Sequence, residues 1–167
     1  GETPRNGLSA EETIRRIEHC KSWLVLKNVE RDAEYGRLLR QCLAQVAAHS
    51  ELIVPGMCQG EGFIFLSSPN SVTPYHIDPE YNFLLQIRGF KQMHTWTLEQ
   101  AGITQIDVER THQGGHRNQP LRDEIAPLAA VFTLRPGDGL HVPVYSPHWV
   151  RNGDEVSVSF SVTFRSR

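Results

Sequence analysis

The chain changes its hydrophobic period about one third of the way along. Ser9 followed by Glu12 has the form of a capping box and predicts a short amphipathic helix running to about Cys20. Residues 1–8 ahead of it read as a loose leader. "WLVLKNV", Trp23–Val29, is a short apolar strand candidate. A second helix is predicted from Asp32 to about Ala48, because Tyr35, Leu38, Leu39, Cys42, Leu43 and Val46 fall on one face at helical spacing. After Val54-Pro55-Gly56 the pattern shifts to strands. They are predicted over 63–67, 71–77, 82–96, 130–134, 139–144 and 155–164, separated by turn signals such as "SPNS", "RPGDG" and "RNGD". The stretch from Leu98 to Ala126 is polar and without period. It is long for a loop in a compact domain, and reads either as a lid or substrate-contact segment or as a solvated excursion.

Helices followed by many short strands predict a mostly β chain, a β-barrel or double-sheet jelly roll with the N-terminal helices packed outside. The last strand alternates sharply. Val156, Val158, Phe160, Val162 and Phe164 take one face, and Ser157, Ser159, Ser161 and Thr163 take the other. Two arrangements are open: a hydroxyl row facing solvent, or an apolar row under the helices with the hydroxyls lining a lumen. In the segment 82–96, parity puts Phe83, Leu85, Ile87, Gly89 and Lys91 on one face, provided no bulge intervenes. A lysine there is costly unless it reaches water or meets an anion.

Composition narrows the classes. A chain of 167 residues with 39% hydrophobic content can build one domain, 1–167, with a helical front part over 1–61 and a strand-rich core over 62–167. The net charge of −2 and the scattered basic residues give no footprint for nucleic acid. No apolar run is long enough to span a bilayer and no signal peptide is evident, so no membrane partner is expected. Cys20, Cys42 and Cys58 are odd in number and lack zinc-like spacing, which favours reduced thiols and a cytoplasmic location.

The candidate chemistry lies in "VTPYHIDPEYNFLLQIRGFK". His76 and Asp78 are two residues apart and project together from a strand; Asn82 follows. His-x-Asp with one distant His is the facial triad of non-haem Fe(II), with coordination positions left open. The distant ligand has two candidates, His141 in "GDGLHVP" and His148 in "YSPHWV". His19, His49, His94, His112 and His116 are read as surface or core residues.

The stretches "FIFLSSPNSVTPYHIDPEYNFLLQIRGFK" and "LRPGDGLHVPVYSPHWV" resemble the JmjC and cupin-like family of 2-oxoglutarate-dependent Fe(II) oxygenases, particularly its factor-inhibiting asparaginyl hydroxylase branch. The resemblance implies a double-stranded β-helix and makes His76, Asp78 and His148 the iron ligands, with His141 where the family usually has an aromatic residue. It implies that Lys91 pairs with the far carboxylate of 2-oxoglutarate, that Thr73 assists it, and that Asn82 lies near the cosubstrate. Ser161 stands where that branch has an Asn. The cofactors implied are Fe(II) and 2-oxoglutarate, with O2 as co-reactant and a protein side chain or small molecule as the hydroxylated substrate. A homodimer is also expected. Two other readings use the same sheets: a metal-binding cupin that senses or regulates without turnover, and a metal-dependent isomerase or hydrolase. Neither needs a carboxylate clamp at the spacing of Thr73 and Lys91.

Overall fold

The computed structural model describes residues 6–52, 54–114 and 117–166. Helix α1, Ala10–Arg15, opens on the expected capping box: Ser9 Oγ accepts from Glu12 N, and Glu12 accepts from Ser9 N. It stops short of Cys20, and the chain continues in turns whose His19 and Cys20 amides bond Arg16 O. Strand β1, Trp23–Lys27, ends before Val29 because Asn28 enters the left-handed region and a 3-10 turn, Val29–Arg31, follows. Asp32 then caps α2, Ala33–Ser50, accepting from the amides of Glu34 and Tyr35.

The rest of the chain supplies β2 (Cys58–Ser67), β3 (Val72–His76), β4 (Tyr81–Arg88), β5 (Lys91–Thr95), β6 (Ala130–Leu134), β7 (Gly139–Val142), β8 (His148–Asn152) and β9 (Ser157–Arg165). Among the described residues the strands form two antiparallel sheets, ordered β1-β2-β9-β4-β7 and β3-β8-β5-β6. This is the expected jelly roll. The front part is not purely helical, since β1 pairs along β2 in the larger sheet.

Helix α2 covers the outer face of the larger sheet. Leu39 is buried against Phe160 and Val162, with Val29, Cys42, Leu43, Ile64, Phe83 and Leu85 around them. Burying side chains of this size contributes about 1.5–3 kcal/mol each. Residues directly opposite on antiparallel strands share a face, so the apolar row of β9 faces the helix and its hydroxyl row faces the space between the sheets. That space holds a second core of Leu84, Met93, Leu134, Val142 and Val150. Its hydroxyls are largely engaged. Gln86, almost fully buried, donates to Ser157 Oγ at 3.0 Å and accepts from Ser159 Oγ at 2.7 Å. Ser161 Oγ donates to Asn82 Oδ1 at 2.7 Å.

Three sequence expectations need correction. The segment 82–96 is two strands in different sheets, because the chain reverses at Gly89 with φ +66. Phe83 and Leu85 therefore face α2 and do not share a face with Lys91, which points between the sheets from β5. The stretch from Leu98 to Ala126 is not structureless. It carries α3 (Leu98–Ala101) and α4 (Gln105–His112), each opened by a capping box, from Thr97 with Gln100 and from Thr104 with Asp107. Strand β8 was absent from the expected set. Its inward positions are His148, Val150 and Asn152, so polar residues interrupt the apolar alternation that marks a strand.

Gly89 is the position where the reversal has no tolerance. A Cβ there would lie 2.7 Å from Val156 O, on a backbone already at positive φ. Gly89→Ala is expected to lower unfolding free energy by about 3 kcal/mol, from left-handed strain and a backbone clash together. At Gly114 a Cβ would meet nothing within 4 Å among the described residues, so Gly114→Ala bears mainly the φ strain and its loss should be about 1 kcal/mol. Urea denaturation of both variants checks the order.

Candidate metal centre

Two residues of β3, Pro74 and Tyr75, stand against one of β8, Trp149: Thr73 lies opposite Val150 and His76 opposite His148, with a bulge between. Pro74 occupies that bulge, where its missing N–H leaves no ladder bond unmade. The extra residue puts Thr73 and His76 on the same face, which an unbulged strand would forbid. Asp78 lies two residues beyond β3, its carbonyl accepting from Tyr145 N at 2.8 Å. The fully buried Ile77 between them anchors the turn. His148 opens β8 and is 4% exposed.

These elements bring His76, Asp78 and His148 together, with one ligand atom from each within 4.8 Å of the others. Asp78 Oδ2 is 3.5 Å from His76 Nε2 and 3.9 Å from His148 Nε2. His76 Nδ1 is 2.7 Å from Pro74 O, and His148 Nδ1 is 2.9 Å from Ser146 O. With Nδ1–H donating to these carbonyls, each Nε2 lone pair is turned toward the shared point. Burial and the neighbouring His76 charge push His148 down to about 4. Burial would raise the Asp78 carboxyl, but the hydrogen bond and charge of His76, then the charges of His148 and Arg117, hold it well below the usual carboxylate range. Burial would lower His76, and contact with Asp78 overrides it, so its pKa is raised. Neutral His148 and ionised Asp78 are the ligating forms.

Lys91 stands inward on β5, level with Asn152 of β8, while Thr95 is level with His148. Four residues of strand separate the two levels, about 13 Å at ~3.3 Å per residue. Lys91 is 4% exposed, and among the described residues its ammonium has neither hydrogen bond nor ion pair. Burial alone lowers its pKa to about 8. Thr73 faces the same space from β3, one inward position nearer the histidines. Asn82 faces it from β4; its Oδ1 takes the Ser161 hydroxyl and its Nδ2 makes no hydrogen bond to a described residue.

His141 is directed away. It lies opposite Phe83 on the outer face of the larger sheet and stacks on that ring at 4.7 Å. His94 stacks on Trp149 at 4.0 Å on the outer face of the smaller sheet. His19 and His49 are exposed on the front part. His112 contacts the Tyr145 hydroxyl from the end of α4, and His116 lies outside the described residues. Sequence reasoning missed Arg117, whose Nη1 is 2.9 Å from Asp78 Oδ1, because a single Arg in a polar stretch carries no pattern.

The profile of the JmjC domain matches residues 37–167, which include every residue of this cluster. The chain belongs to the JmjC domain family. Solved structures agree on the fold. An X-ray structure of YcfD from Escherichia coli superposes with a TM-score of 0.60 at 20% identity, over 87% of this chain and 34% of that one. YcfD described as a ribosomal oxygenase in complex with cobalt and 2-oxoglutarate gives 0.58 at 19% identity, over 87% and 32%. Its complex with cobalt and succinic acid gives 0.57 at 20%, over 87% and 32%. The chain thus spans about a third of the length of these YcfD structures. Likeness to the asparaginyl hydroxylase branch rests on the sequence motifs alone.

The buried ammonium has a measurable consequence in the ligand-free protein. Its folded pKa of about 8 is below the ordinary 10.5, so the unfolded chain binds more protons between those values and stability rises with pH across that window. Below about 8 the penalty is fully present. Lys91→Met is therefore expected to stabilise the ligand-free protein by about 2 kcal/mol at pH 7. The gain should shrink toward zero near pH 10.5. Urea denaturation of both proteins at pH 7 and pH 10 checks sign and window.

Proposed function

We propose that this JmjC domain is an Fe(II)- and 2-oxoglutarate-dependent oxygenase that hydroxylates a protein side chain or a small molecule. The observation that carries the reading is the Lys91 ammonium, buried with no hydrogen bond or ion pair among the described residues, on the same inner face as a His-Asp-His cluster. A cation in that position calls for an anion, and the strand between Lys91 and His148 leaves a span suited to a dicarboxylate.

The residues fit both groups. His76, Asp78 and His148 would hold the iron through two imidazole nitrogens and a carboxylate oxygen, the ligand types that suit a non-haem Fe(II) site. Lys91 would bind the far carboxylate of 2-oxoglutarate through a charge-assisted hydrogen bond, which is strong in a dry interior. Thr73 Oγ1 and Asn82 Nδ2 would orient the diacid between lysine and metal. When bound, Fe(II) with 2-oxoglutarate and O2 supplies the oxidising chemistry, converting the diacid to succinate and CO2 as a substrate C–H becomes C–OH. The chain's own part is to hold three ligands in one orientation, seat the cosubstrate and exclude water. Cys20, Cys42 and Cys58 are free thiols, which supports the same cytoplasmic setting for a ferrous enzyme.

The test is 2-oxoglutarate turnover with Fe(II), read as succinate. His76→Ala, Asp78→Ala and His148→Ala should each abolish succinate formation and metal binding with the fold retained by circular dichroism. His141→Ala should keep both. Lys91→Ala should weaken 2-oxoglutarate binding about a hundredfold, the equivalent of roughly 3 kcal/mol, with metal affinity little changed. A parent protein that binds iron and never binds 2-oxoglutarate would leave a metal-binding cupin without turnover as the reading.

A further inference from the structure

We propose that Arg117 is a positioning residue that keeps Asp78 a one-oxygen ligand. The inference rests on the His76-Asp78-His148 cluster binding a metal. The two carboxylate oxygens of Asp78 are divided between different partners. Oδ2 faces both Nε2 atoms, at 3.5 and 3.9 Å, while Oδ1 is 2.9 Å from Arg117 Nη1. A carboxylate can bind a metal through one oxygen or two. Bound through two, Asp78 would occupy a position that a three-residue site leaves open for a chelating cosubstrate and a second reactant. A guanidinium donating to Oδ1 competes for the lone pairs that a second metal contact needs.

The arginine is held to this task from both ends. Arg117 O accepts from Ile77 N at 3.2 Å, Gln119 N donates to Tyr75 O at 3.0 Å, and Asn118 bridges His76, so the segment 117–119 lies along the edge of β3 and just beyond it. On the far side, Nη1 is 3.7 Å from Glu80 Oε2, and Glu80 Oε1 is bound at 3.0 Å by Arg165 Nη2. The row Arg165, Glu80, Arg117, Asp78 alternates in sign, which fixes the direction from which the guanidinium approaches. Its side chain is half-exposed, so packing does not explain its placement.

Cobalt(II) is the probe, because its visible absorption reports coordination number. The parent, Arg117→Gln and Arg117→Lys are loaded with Co(II) and titrated with 2-oxoglutarate, folding being followed by circular dichroism. Arg117→Gln is expected to retain cobalt but show a weaker absorption band, as a second carboxylate oxygen enters the shell. Its 2-oxoglutarate binding should be about tenfold weaker, at the low end of what loss of an orienting partner costs a metal site. Arg117→Lys should recover much of the parent spectrum. A merely structural pin on the 117–119 segment would change thermal stability and leave the spectrum alone. An Arg117→Gln spectrum identical to the parent's overturns the inference, the metal site standing. A parent that takes up no cobalt overturns the metal site and this inference together. A parent that binds cobalt without response to 2-oxoglutarate sinks the cosubstrate reading, and the spectrum of Arg117→Gln then still decides the role of Arg117.

Discussion

The pairing of His76 with His148 across β3 and β8 is the constraint on which the site depends. Both imidazoles must leave the same face of the smaller sheet, at the same level, with Asp78 reaching back from the turn beyond. A slip of one residue in that register would send one ring outward. The bulge at Pro74 and Tyr75 sets the register, and the outward cluster of Tyr75, Trp96, Ala101 and Ile125 holds it by making Tyr75 a core residue. Trp96 Nε1 donates to Ile125 O at 2.7 Å within that cluster, joining the smaller sheet to the segment that follows α4. The site is thus fixed by packing on the side of the sheet it does not face.

The space between the sheets is divided along its length. At the level of Gln86, hydroxyls and amide satisfy one another and close the interior. Leu84, Met93 and Val150 fill the middle. Lys91 sits where neither kind of neighbour serves it: too buried for water, with no carboxylate beside it among the described residues. Native interiors seldom keep a charge in that condition. The folded state accepts it because the two sheets are held by the rest of their contacts, a pattern expected of a residue kept for a ligand.

Much of this was legible in the sequence. Period two over β9 gave its two faces, and the structure buries both, the apolar row under α2 and the hydroxyl row between the sheets. The spacing of His76 and Asp78 survived even though Asp78 lies outside the strand. Choosing His148 over His141 needed a resemblance, since both follow the same Gly-Asp turn; the structure separates them by face, His141 lying opposite Phe83. Reading Lys91 as inward was right for a wrong reason. Parity carried across Gly89 fails at a chain reversal, and the inward direction comes from β5 pairing with β8. Strand β8 was hidden because site residues occupy the positions that would have carried its apolar alternation. Arg117 was hidden because its partner is 39 residues away and spacing carries no such contact.

The long polar excursion therefore has a structural reason to return to the site. Strand β3 ends the smaller sheet, so its outer edge presents unpaired backbone groups beside the His76-Asp78-His148 cluster. Residues 117–119 cover that edge with two backbone hydrogen bonds. Edge protection alone would need only backbone, and any polar side chain at 117 would do. Asp78 and Glu80, however, bring two carboxylates to one short turn, and the Arg117 guanidinium contacts both, at 2.9 and 3.7 Å. Arg117 and Arg165 offset those charges from opposite sides. A strap that carries a cation to this point closes the sheet edge and holds Asp78 Oδ1 by an ion pair at 2.9 Å, which joins the excursion to the site through a side-chain contact as well as through chain connectivity.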